Sequence, residues 1–108
     1  MRPREPTYDR LMDEIKLGIA QHKGLHAQEL LENTLLNEAF AAIEERYLSE
    51  WRSSKVADQE AREAAWRALK TLDGIKDLLK RYVQDGRIAA SDLARLSEET
   101  KRKNARRI

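Results

Sequence analysis

The chain has 108 residues, 37% of them charged and 6% aromatic, with a formal net charge of +2 and no cysteine. That length bounds it to one domain, and the missing cysteines exclude disulfides and thiolate metal sites. No apolar run nears the roughly 20 residues of a membrane span, and the opening MRPREPTYDR lacks the apolar stretch of a secretory leader. The expectation is a cytoplasmic protein with no membrane partner.

The charge is unevenly spread. Residues 101–108, KRKNARRI, hold five basic residues and no acid, which leaves sixteen basic against nineteen acidic residues elsewhere, a net of −3. An acidic body and a basic tail are distinct objects.

Residues 1–6, with Pro3, Pro6 and mixed charges, offer nothing to bury and are expected to be disordered. Residues 7–100 are expected to form one helical domain. Thr7 is placed to cap a first helix over about Tyr8–Lys23, on which Tyr8, Leu11, Met12, Ile15 and Ile19 share a face at 3.6 spacing. Gly18 weakens this helix, and Gly24 is the expected terminator. A second helix is expected over about 27–52, with the stripe Leu36, Phe40, Ile43, Tyr47 and Trp51.

RSSKVAD then breaks the pattern. Asp58 suits an N-cap, with Gln59, Glu60 and Glu63 in the following turns, where the helix dipole favours negative charge. The third helix is expected over about 59–85, ended by Gly86. Its seam of Ala61, Ala65, Ala68, Leu72, Ile75, Leu79 and Tyr82 repeats at alternating spacings of 4 and 3, a heptad pattern. Ser91 is placed to cap a short fourth helix carrying Leu93 and Leu96, which frays into the basic tail.

The fold class is therefore all-α: a long antiparallel hairpin of about 27–52 and 59–85, a shorter N-terminal helix and a short C-terminal one. One register pairs Trp51 with Ala61, Tyr47 with Ala65, Ile43 with Ala68, Phe40 with Leu72 and Leu36 with Ile75. Large residues on one helix then fill the space left by alanines on the other. Continued, this register sets Asn33 against Leu79 and Glu29 against Tyr82.

Trp66 flanks the seam, as do Leu69 and Leu78, while Leu35 and Leu48 lie off the stripe of the second helix. A two-helix hairpin cannot cover them all, and a first helix of roughly 24 Å covers only part. Leu35, Leu48, Trp66, Leu69 and Leu78 are therefore the expected interface of a homo-oligomer. A compact four-helix monomer with Trp66 under its last helix is the alternative.

Candidate chemistry is sparse. His22 and His26 are four apart, but Gly24 between them is expected to end the helix, and no third ligand accompanies them. Glu44, Glu45, Glu60 and Glu63 sit on solvent-facing arcs. No glycine-rich phosphate loop and no nucleophile–histidine–acid set is present. The expectation is a non-enzyme with no cofactor, no metal and no small-molecule substrate. In the tail, Lys101, Arg102, Lys103, Arg106 and Arg107 would attract phosphates without reading sequence, since no aromatic is interleaved for stacking. An acidic protein partner, or no specific role, are the other readings of the tail.

HAQELLENTLLNEAFAAIEERYLSEWRSS followed by REAAWRALKTLDGIKDLLKRYVQDGRIA, residues 26–89, resembles short helical proteins of tailed phages and prophages. The architecture is similar to the oligomerisation core of phage small terminase subunits, which build rings from helical hairpins, recognise viral DNA and pass it to the motor subunit. The chain departs from that family in having too few residues before the hairpin for an N-terminal helix-turn-helix domain. The resemblance implies a DNA-packaging accessory of the host cytoplasm that binds itself, and DNA or the motor through the tail. The alternative is a helical adaptor or regulator without nucleic-acid binding.

Overall fold

The computed structural model describes residues 6–106, with side chains from Tyr8 onward. They are all-α: α1 spans Pro6–Glu32, α2 Thr34–Ser53 and α3 Gln59–Arg106, with no strand among the described residues. Of the segment expected to be disordered, residues 1–5 lie outside the described residues. Pro6 opens α1, a position where its missing N–H costs nothing. Thr7 is therefore inside the first turn rather than its cap.

The helix boundaries correct the sequence reading at two glycines. Gly24 does not end the first helix, which continues to Glu32, and Gly86 does not end the third, which continues to Arg106. No glycine has positive φ, so neither adopts the left-handed conformation of a helix terminator. The separate fourth helix, with Ser91 as its cap, does not exist; residues 91–106 extend α3.

The break falls instead at Asn33, in extended conformation, whose side-chain Oδ1 accepts from the Leu36 N–H at 2.9 Å. Asn37 Nδ2 donates to the Leu31 carbonyl at 2.9 Å, satisfying one of the last acceptors of α1. The other break lies where the sequence placed it. Ser54 closes α2, and Asp58 Oδ1 accepts from the Ala61 N–H at 3.2 Å at the head of α3.

The chain divides into two compact units, residues 1–27 with 81–108, and residues 28–80. In the first, α1 packs antiparallel on the C-terminal half of α3. Gly24 meets Gly86 backbone to backbone, and fourteen residues further along each helix Arg10 donates to Thr100 Oγ1. Two heptads thus separate two contacts in one register. Arg10 also donates to the Leu96 carbonyl at 2.8 Å, and Lys23 Nζ lies 4.2 Å from the centre of the Tyr82 ring. The packed face of α1 is Arg10, Glu14, Leu17, Gln21 and Gly24, and that of α3 is Tyr82, Gly86, Ala89, Leu93 and Leu96, all buried or half-buried.

In the second unit α2 and the start of α3 form a hairpin. Ala65 and Leu72 are buried, and Leu36, Phe40, Tyr47, Ala68 and Leu79 are half-buried. Large residues on α2 thus face alanines on α3. Ile43 and Ile75 leave the expected seam, 41% and 44% exposed, and so do Trp51, 40% exposed, and exposed Ala61. Half-buried Glu44 and Lys76 stand there instead, ion-paired at 2.5 Å, and Lys76 Nζ lies 5.5 Å from the centre of the Phe40 ring. On antiparallel helices both side chains lean back toward their own N-termini, so each covers about one turn of an offset of about two.

Two sets of substitutions follow from this packing. A Cβ on Gly24 would lie 2.8 Å from both the Gly86 Cα and the Tyr82 carbonyl oxygen, backbone atoms that cannot rotate away, whereas one on Gly18 or Gly74 meets nothing within 4 Å. Gly24→Ala should destabilise by about 1–3 kcal/mol despite its helix propensity, while Gly18→Ala and Gly74→Ala should each stabilise by about 0.5–1 kcal/mol. Urea denaturation of the three variants checks the opposite signs. In the hairpin, Ala65→Leu should overpack the seam at a cost of about 1–3 kcal/mol, seen as a lowered Tm.

Candidate interaction surfaces

The buried apolar residues are Ala27, Ala65, Leu72 and Ala89, three of them alanines. Against these, fifteen large apolar side chains are exposed among the described residues. Single exposed apolar residues are ordinary; what matters is how they group.

The largest group in the first unit lies on α1. Tyr8, Leu11, Met12, Ile15 and Ile19, 36–63% exposed, occupy the side of the helix about 180° from the face that packs on α3. The sequence placed these five on one face, and they share it, but it is the free face. The packed side is made of glycine, polar side chains and one leucine, which apolar periodicity does not detect.

His22 and His26 continue this free side toward the C-terminal end of α1. Because the helix runs through Gly24, they do stand one turn apart on a continuous helix, with Nε2 atoms 3.0 Å apart and rings edge to face. No group of three metal-ligating side chains occurs among the described residues.

In the second unit, Trp51, Val56, Gln59, Arg62, Glu63 and Trp66 line an open hollow of ≈ 740 Å3 at the tip of the hairpin. The Arg62 guanidinium lies 4.9 Å from the Trp51 ring centre, and Lys70 Nζ 5.5 Å from that of Trp66. Of the expected interface residues, Leu35, Trp66 and Leu78 are exposed, and Leu48 and Leu69 are half-buried. Trp66, 55% exposed, shares the lining of this hollow with Trp51.

The basic residues Lys101, Arg102, Lys103 and Arg106 lie on the last turns of α3, and Arg107 lies outside the described residues. The tail is thus a helix end as far as Arg106. Lys101 Nζ is 3.9 Å from a Glu98 oxygen, both largely exposed. Cations here also favour the negative end of the helix dipole, which gives them a structural role of their own. No helix among the described residues is long and apolar enough to cross a membrane.

No family model matches the chain, and neither a curated protein nor a solved structure matches it.

Because Leu35 and Trp66 are exposed within their unit, Leu35→Ser and Trp66→Ser should change unfolding free energy by only about 0.5 kcal/mol in dilute solution. Chemical denaturation at low protein concentration is the check. A loss near the roughly 3–5 kcal/mol of a buried aromatic would mean that Trp66 is covered.

Proposed function

We propose that this chain is a helical assembly protein, acting through protein surfaces, its own first of all, rather than through chemistry in a pocket. The observation that carries this reading is the imbalance between a core of Ala27, Ala65, Leu72 and Ala89 and fifteen exposed large apolar side chains. Exposed apolar faces that are continuous, as on α1, are characteristic of interfaces.

The specific form we favour is a DNA-packaging accessory of the small-terminase kind in the cytoplasm of a phage-infected cell. The resemblance over residues 26–89 motivates it, and the four cations at the end of α3 support it. On a helix they are held at fixed spacing, so they present a preorganised charge array to a phosphate backbone or to an acidic face of a motor subunit. In an assembly these ends add, and weak single contacts become strong through effective concentration. A helical adaptor without nucleic-acid binding is the second reading, favoured by the dipole-stabilising role open to the same cations.

Light scattering behind a sizing column tests the assembly reading: the expected mass is a multiple of 12.5 kDa, and a monomer at every concentration would overturn it. For the packaging form, duplex DNA binding followed by fluorescence anisotropy should weaken steeply between about 50 and 200 mM salt, with a log–log slope of roughly −4 per chain. Removing residues 101–108 should abolish it. Binding that ignores this truncation removes the tail assignment, and no binding at low salt favours the adaptor.

A further inference from the structure

We propose that the free face of α1 is a dimer interface on which a second copy of the chain lies antiparallel, the two-fold axis passing near residues 13 and 14. This rests on the assembly reading and names its surface.

Three observations carry it. Tyr8, Met12, Ile15 and Ile19 are exposed and spaced 4, 3 and 4 apart, the seam of a two-helix pairing. The seam lies on the side of α1 away from α3, so a partner reaches it without disturbing the Gly24–Gly86 crossing. The charges then choose the direction. Arg10 and Glu14 lie on the face packed against α3, so the charges that flank the seam are Asp9, Lys16 and Lys23.

Antiparallel pairing brings opposite ends of the two seams together. Met12 faces the second copy's Ile15 and Tyr8 its Ile19, each contact occurring twice. One flank of the seam carries Asp9, Lys16 and Lys23, the other Leu11, Gly18 and Leu25. In antiparallel pairing like flanks meet, so Asp9 faces Lys16 of the second copy on both sides of the axis, and Leu11 closes the other flank. Parallel pairing would set Lys16 against Leu11 and Lys23 against Gly18, with no complementary charge. The interface is isologous and closes at two subunits; a ring of higher order needs a further surface.

The experiment uses the full chain and its lack of cysteine. Wild type should show at least the mass of a dimer, and Ile15→Glu should weaken association at least about tenfold by placing a carboxylate in the seam. Circular dichroism should show unchanged helicity, since Ile15 is 48% exposed on the face of α1 away from α3. Under mild oxidation, Tyr8→Cys mixed with Ile19→Cys should give the mixed disulfide, while Ile19→Cys alone should not crosslink, since its two copies lie about 16 Å apart along the helices. Cross-linking of Ile19→Cys alone would indicate parallel pairing and overturn the proposal. An assembly that survives Ile15→Glu overturns it too, but leaves the assembly reading standing. A wild-type monomer overturns both.

Discussion

The close approach of Gly24 to Gly86 sets the arrangement of the first unit. With no Cβ on either side, the backbones of α1 and α3 come into contact, and any side chain there would hold the helices apart. Around that contact the packed face of α1 needs little apolar bulk. Gln21, Glu14 and Arg10 follow Gly24 toward the N-terminus, and Arg10 reaches across to the α3 backbone at Leu96. The same crossing turns Tyr8, Met12, Ile15 and Ile19 outward. A glycine contact inside the unit thus decides which side of α1 is left for a partner.

The hairpin of the second unit solves the same problem with alanine. Ala65 is buried and Ala68 half-buried on α3, with Leu36, Phe40 and Tyr47 half-buried along α2. Midway, an ion pair between Glu44 and Lys76 replaces apolar contact. Both partners are about a third exposed, so the pair fixes alignment more than it adds stability. Each unit therefore buries little, and each leaves apolar surface in a defined place: the α1 stripe in one, the hollow of Trp51 and Trp66 in the other.

The basic end of α3 joins that logic. Its cations sit at the C-terminal end of the helix, where the dipole favours positive charge. Because α3 is one helix from Gln59 to Arg106, the charges belong to the same element that supplies one side of both packed seams.

Several features were legible in the sequence. The all-α class, the loop at residues 54–58, the Asp58 cap and the alanine seam of α3 all follow from local hydrogen-bonding and spacing. The seam even continues past Tyr82 through Gly86, Ala89, Leu93 and Leu96 at the same alternation of 4 and 3, a signal for one long helix that the glycine obscured. What only the tertiary structure decided is the meaning of Gly24 and Gly86. A glycine in a helical pattern is a terminator if the chain turns there and a contact point if another helix crosses it. The residue is the same in both cases, and the neighbour that distinguishes them lies some sixty residues away. For the same reason periodicity found the apolar face of α1 but not its direction: the pattern reports that a face is apolar, while what covers it depends on where the partner's backbone can come closest.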